Sequence, residues 1–404
     1  NTFTAAASSV VALDDGAVAT PSLTTTGDLN TGVYFPAADT VGITAGGTEQ
    51  FRFGSNPIPG GGKNLVQNGS MAVAQKSTQT GLGSATAQTQ VDRWKLFCSG
   101  TAGRVTADQA AAGGVTGQGS ALKVDVTTVD SSVAAGDIMT IRHVIEAQNC
   151  QRLRYGDSTA QDITVSFWMK SPKTGTHCVS LYQSDTGRGY IKEFTIASAD
   201  TWEHFKITFP GDTGGAGINN DTGAGLNIDW PLICGSNEQG AAGSWLASGK
   251  SATSNQQNLL DNTGNDVYLT GVQLEVGSVA TDFAHEDVGT TLQKCHRYLK
   301  RFVFAGDENF CVGYADSATS TKYGFFATGV EFRASPTWSV SNAADFQTLS
   351  DANADNTTAL SFSQTGKWGV MMTVTDAGSH TAGQACMLAA DGTAGRYVQA
   401  TAEL

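Results

Sequence analysis

The stretch "DITVSFWMKS" (162–171) alternates without a break. Ile163, Val165, Phe167 and Met169 fall on one side, and Thr164, Ser166, Trp168 and Lys170 on the other. A period of two over eight residues describes a strand with one face in a core and one face outside. The same habit returns in "SALKVDVTT" (120–128), in "CVSLYQS" (178–184) and in "TWEHFKITFP" (201–210), where Phe205, Ile207 and Phe209 oppose His204, Lys206 and Thr208. Strands finished this way belong to antiparallel sheets packed in pairs, and Gly-rich connections such as "GDTGGAGINNDTGAG" (211–225) join them. The expected fold is all-β: an antiparallel β-sandwich of jelly-roll type.

"VYLTGVQLEVGSVATDFAHED" (267–287) reads as another strand, followed by a reversal and an arm. Val267 and Leu269 share one parity, whereas Val272, Leu274 and Val276 share the other. A bulge at Thr270–Gly271 reconciles them, because Gly tolerates the backbone a bulge needs. Gln273 and Glu275 then face outward, Gly277 begins the turn, and Phe283 is placed to seat the arm as a structural connector.

Composition agrees with this architecture. Among 404 residues only 15% are charged, Gly numbers 48 and Pro 8, a mixture suited to short strands and tight turns. The 24 Lys+Arg stand against 37 Asp+Glu, a net charge of −13, which disfavours nucleic acid and anionic membrane as partners. No apolar run approaches the length of a membrane span, and no secretory leader pattern is present. The first residues, "NTFTAAASSVV", lack Met, so an upstream portion is expected. The odd number of cysteines, 7, scattered without C-x-x-C pairs, predicts buried free thiols and a reducing place of synthesis.

Three regions are expected. Residues 1–62 hold short β-prone pieces with too few large apolar residues for a core of their own, ending in the Pro/Gly linker "FGSNPIPGGGKN" (53–64). Such a segment needs neighbouring copies. In a homotrimer, Val33, Phe35, Val41, Ile43, Phe51 and Phe53 would supply a shared apolar axis. Residues 63–290 form the jelly roll. Residues 291–404 form a second, smaller β domain, reached through a helix predicted over 288–302, where Leu292, Cys295, Leu299 and Phe302 recur at helical spacing. Its strand candidates are "KYGFFATGVEF", "TWSVS", "KWGVMMTVT" and "RYVQATAEL".

Motifs for chemistry are missing: no G-x-S-x-G, no H-E-x-x-H, no phosphate loop. The six histidines are not spaced as metal ligands, and the Asp/Asn-rich runs at 219–229 and 261–266 read as turns rather than cation loops. No catalytic residue, metal ligand or cofactor is assigned. The outward aromatics Trp168 and Tyr182, with Trp202, are candidates for stacking on sugar rings, as are the loop aromatics Tyr190, Trp230 and Trp245. The commoner use of such a face is burial beneath a loop or against another subunit, where Tyr and Trp are also enriched.

The stretches "NLVQNGSMAVAQKS…VDRWKLF" (64–97), "ITVSFWMKS" (163–171), "WEHFKITF" (202–209), "VYLTGVQLEVGSVATDFAHED" (267–287) and "LQKCHRYLKRF" (292–302) resemble, in that order, a pattern of tailed-phage fibre and virion structural proteins. Q-L-E-x-G followed by C-x-R-Y is its most specific part. "GDLNTGVYFPAADTVGITAGGTEQFRF" (27–53) is similar to a repeat of tail-fibre shafts, here in one copy. The resemblance implies a homotrimeric virion protein made in the host cytoplasm, with a jelly roll like carbohydrate-binding modules, joined to other virion proteins through its N-terminal end. It implies contact with host-surface polysaccharide and no catalytic residue. The leading expectation is therefore a non-enzymatic phage fibre or appendage that recognises host glycan. A purely structural head or tail decoration is the alternative, and a tail-associated glycan depolymerase comes third.

Overall fold

The computed structural model describes residues 13–38, 40–53, 63–351, 354–378 and 380–404, with residues 51–53 described as backbone only. The chain is all-β with antiparallel pairing throughout its sheets, and it divides into two compact units, Asn1–Lys63 and Asn64–Leu404.

In the first unit, strands Leu23–Thr25, Asp28–Tyr34, Val41–Ala45 and Thr48–Phe53 form one sheet in chain order. Gly46 and Gly47 both take positive φ (60° and 72°) in the tight turn between the last two strands, a conformation that favours glycine. Val33 pairs with Ile43, and both remain half-buried. Phe35 and Val41 line an open recess with Leu13, which is 44% exposed. The side chains of Phe51 and Phe53 lie outside the described residues.

The second unit begins with the sandwich. One sheet runs, by neighbour, Trp245–Leu246, Gly189–Ile196, Gly175–Gln183, Ala224–Cys234, Ile138–Glu146, Trp94–Ser99 and Ala87–Gln88. The other runs Glu203–Phe209, Ile163–Lys170, Asp266–Val276, Ser120–Thr128, Arg104–Ala111 and Gln79–Leu82. Between them Ile163, Val165 and Phe167 are wholly buried, as their alternation requires. Phe167 packs edge-on to Trp230 at 5.5 Å, and Trp230 tilts against Trp94 at 5.7 Å, giving the core an aromatic centre.

The expected bulge is present one residue later than placed. Ser166 pairs with Gln273 and Trp168 with Thr270, so Phe167 faces both Gly271 and Val272. Gly271 has φ +59°, and a Cβ there would sit 3.1 Å from Trp168 Cδ1. Beyond the bulge, residues 64–69 pair along the same strand. Asn64 Nδ2 donates to the Val272 carbonyl at 3.0 Å, the Leu65 amide to Leu274 at 2.9 Å, and the Val272 amide to Gly69 at 2.9 Å. Gln273 and Glu275 point away from the core, but the arm closes over them. Glu275 accepts from the Thr281 amide and hydroxyl, both at 2.8 Å, and Gln273 Oε1 accepts from the Ala284 amide at 2.8 Å. This polar clasp holds the arm, while Phe283 stays half-buried beside it.

The linking helix is shorter than its periodicity predicts. It spans Val288–His296, with the Asp287 side chain accepting from the Gly289 and Thr290 amides as an N-cap. Leu299 and Phe302 belong instead to the strand Leu299–Phe304, which pairs with Arg396–Thr401, so sheet pairing overrides the helical spacing of 288–302.

Arg396–Thr401 also pairs with Thr337–Val340, and beside this small sheet lies a closed barrel in the order Asn309–Ser317, Ser320–Ala327, Gly369–Asp376, Ala354–Gly366, Phe346–Leu349, Ala385–Ala390. It has its own core, with Tyr323, Phe332, Phe346 and Met372 fully buried.

The sandwich meets the ends of the small sheet at Arg93, which is 4% exposed and has φ +73°. Its guanidinium donates to Gln67 Oε1 (2.9 Å), the Val144 carbonyl (2.7 Å) and Glu403 Oε2 (2.7 Å), and lies 3.4 Å from the centre of the Tyr298 ring. Glu146 accepts a bidentate pair from Arg297 (2.8 and 3.0 Å) and a bond from the Tyr298 hydroxyl. Burial alone would raise this carboxyl, but those hydrogen bonds and the charges of Arg297 and Arg93 bring it below the usual range. Arg333 closes the joint by donating to the Thr222 carbonyl at 2.9 Å and to the carbonyls of Ala402 and Glu403.

Candidate functional site

The aromatic candidates do not share one site. Trp230 (0% exposed) and Tyr190 (3%) belong to the core, a correction to their reading as loop aromatics able to meet a sugar. Both sit on strands whose inward parity carries them between the sheets, Trp230 on Ala224–Cys234 and Tyr190 on Gly189–Ile196. Trp245 is turned inward as well: its ring meets the edges of Tyr155 and Tyr190 at 5.4 and 5.3 Å, and its indole N–H donates to the Pro210 carbonyl. Tyr182 does lie on the outer face of the seven-stranded sheet. Gly249 covers its ring so closely that a Cβ there would fall 2.4 Å from it.

Trp168 is different. It is half-buried on the outer face of the six-stranded sheet and stacks flat on His204 (4.6 Å, 6° between planes), its cross-strand partner. Lys170, two residues on, keeps the same parity and pairs with Tyr268, with its ammonium 3.9 Å from the centre of that ring. Trp202 approaches Tyr268 edge-on at 6.1 Å and is fixed by donating its indole N–H to the Gly113 carbonyl at 3.0 Å. Trp168, Trp202, His204, Tyr268 and Lys170 thus form one patch from neighbouring strands.

A polar row continues it. Lys123 is the cross-strand partner of Tyr268 and lies 3.5 Å from Asp125 and 3.4 Å from Asp266. Asp108 pairs across from Lys123, its Oδ1 has no hydrogen-bond partner, and burial raises its carboxyl above the ordinary range. Burial, with the charge of Lys206 beside it, lowers the His204 imidazole, so at neutral pH the ring under Trp168 is neutral. Loop 112–119 walls one side of the patch through Gly113, and the arm approaches from another, where His285 lies within 3.4 Å of a Cβ built at Gly117.

Chemically, such a surface offers fixed π faces for C–H groups, and it offers ammonium and carboxylate groups for hydroxyls. Tyr268, His204 and Lys170 were missed as site residues, although parity in the quoted strands already put them outward. Among the described residues no group of three or more His, Cys, Asp or Glu is placed to hold a metal. All seven cysteines are free, and burial pushes the thiols of Cys98, Cys150 and Cys234 up to about 12, which leaves them unreactive.

No family model matches the sequence, and no curated protein matches it. Among solved structures, the chain is similar to the enzymatically active domain of tailspike protein 4 of bacteriophage CBA120, at 14% identity and TM-score 0.29 over 53% of this chain and 21% of that one. The chain thus spans about a fifth of that domain's length. It is similar to a CBM4 structure at 12% identity and TM-score 0.28, over 52% of this chain and 99% of that one. A third is the family 11 carbohydrate-binding module of Clostridium thermocellum, in complex with a β-1,3-1,4-mixed-linked tetrasaccharide, at 12% identity and TM-score 0.25 over 47% and 91%. Likenesses this faint say nothing of ligand or activity.

Proposed function

We propose that the chain is a non-enzymatic, homotrimeric phage fibre or appendage protein of the virion that recognises host-surface glycan. The patch of Trp168, Trp202 and Tyr268 with Lys170 carries this reading: aromatic rings are held half-exposed on a rigid sheet by stacking and hydrogen bonds, so little ordering entropy opposes ligand docking. The virion setting rests on the resemblance of residues 27–53 and 64–302 to phage fibre proteins. Self-association rests on the thin first unit, where Val33, Ile43, Phe35 and Val41 stay half-exposed. Attachment to other virion proteins is assigned to the N-terminal end, and the receptor to a cell-surface polysaccharide.

The test is a glycan array on the purified chain and on its Trp168→Ala/Trp202→Ala variant, run beside a reducing-sugar release assay. Binding by the native chain that the variant loses, without sugar release, supports the proposal. Silence of the native chain on bacterial surface glycans would leave a decoration role, and sugar release would make it a depolymerase.

A further inference from the structure

The outer surface of the barrel is apolar where an alternating strand should be polar. Val312 (70% exposed), Phe325 (62%), Tyr314 (50%) and Met387 (42%) are all turned outward, and Trp368 (55%) stands beside them. Pairing brings them together. Val312 is the cross-strand partner of Met387. Tyr323 pairs with Met372 and Phe326 with Val370, so Gly324 and Phe325 share a bulge that throws Phe325 out between two inward rings. Phe325 lies over Gly369, next to Trp368, where a Cβ would fall 2.4 Å from its ring. With Phe310 and Cys311, Val312, Phe325 and Met387 rim an open recess of ≈ 400 Å³.

We infer that this face docks against a second copy of the chain. At 150–250 Å² for each of Phe325, Tyr314 and Trp368, somewhat less for Val312 and Met387, and with the covered share removed, the five residues present roughly 500 Å² of apolar surface. A standard interface takes about 800 Å² from each partner, and about 65% of it is apolar in self-associating chains, again about 500 Å². Charge points the same way. A chain of net charge −13 repels its own copies, yet no residue lining the recess is charged. The nearby acid Asp316 is paired with Lys322 at 3.0 Å. Trp368 adjoins the Gly369 over which Phe325 lies, so this exposed residue borders the recess.

The inference rests on the reading that copies assemble, and its test separates the two. The native chain and the Val312→Asp/Phe325→Glu variant are compared by light scattering and sedimentation across micromolar concentrations, with near-ultraviolet dichroism confirming the fold. The native chain is expected to assemble, and the variant to dissociate at concentrations at least 100-fold higher than the native chain does. Tyr314→Cys, treated with a short bis-maleimide, is expected to give chain-to-chain crosslinks in excess of the native chain, which keeps the test open if the charged variant misfolds. A monomeric native chain overturns assembly and this face together. An assembled native chain with an unchanged variant and no excess crosslinks overturns this face alone.

Discussion

The joint around Arg93 and the patch around Trp168 are built from opposite materials. At the joint, Arg93, Glu146, Arg297 and Tyr298 are tied by charge-assisted bonds to residues far away in the chain, and Asn68 donates to the carbonyl of Asp92 while accepting from the Trp94 indole. At the patch, rings rest on one another with few polar bonds, Trp168, Trp202 and Tyr268 half-buried and His204 exposed. Of the residues that carry the resemblance, N-L-x-x-N-G, D-R-W and C-x-R-Y cluster at or near the joint, whereas the stretches 163–171, 202–209 and 267–287 also supply Trp168, Lys170, Trp202, His204 and Tyr268 to the patch. Recognisable sequence therefore serves both regions, and what separates them is the chemistry of their contacts.

Arg93→Ala tests that division with the largest expected effect. It leaves Glu403 buried without its cation and should cost about 3–5 kcal/mol in denaturant unfolding. A loss below about 1 kcal/mol would mean the joint is not what holds the small sheet to the sandwich.

The second test uses pH. Burial pushes the Asp92 carboxyl up to about 6 from 3.8, so its stabilising contribution is full below 3.8 and is lost as pH rises through 6. Burial brings His296 down to about 4 from 6.5, so its contribution is full above 6.5 and is lost as pH falls through 4. The two oppose each other between pH 4 and 6. Asp92→Asn should remove the opposing contribution, so that stability falls from pH 6.5 to 4 by about 2 kcal/mol more in the variant than in the native chain. A variant profile parallel to the native one would sink this balance.

Smaller effects belong to the patch. Trp168→Ala is expected to weaken glycan binding about tenfold, near 1.4 kcal/mol. Its unfolding free energy should change by less than Arg93→Ala changes it. Lys170→Gln should weaken binding only two- to threefold, the scale of an exposed cation–π contact near 0.5 kcal/mol. Should Trp168→Ala unfold the chain while binding persists in the folded fraction, the patch would be structural too.

The sandwich was legible because its strands alternate over eight or more residues with large apolar side chains; "DITVSFWMKS" states its own inside and outside. The barrel was only partly legible. Asn309–Ser317 and Ala385–Ala390 were not marked as strands because inward Ala315 and Cys386 are small while Val312 and Met387 point outward, leaving Leu388 as the one large buried side chain of the two. Alternation is present there, but apolar side chains stand on both faces. The patch was half legible: Trp168 and Trp202 were singled out, whereas Tyr182, Tyr190, Trp230 and Trp245 shared their chemistry but not their face. Only the pairing of Trp168 with His204 and Lys170 with Tyr268 sorts them, and pairing between distant strands is not written in local sequence.

The bond from Arg93 to Glu403 spans 310 positions, and that from Lys95 to the Leu404 carbonyl 309. Contacts so distant along the chain close late, after each half has condensed around its own core. Interactions absent from the transition state slow unfolding without hastening folding. The joint is therefore a latch measured in time: its removal should shorten the lifetime of the native state more than it delays the state's arrival.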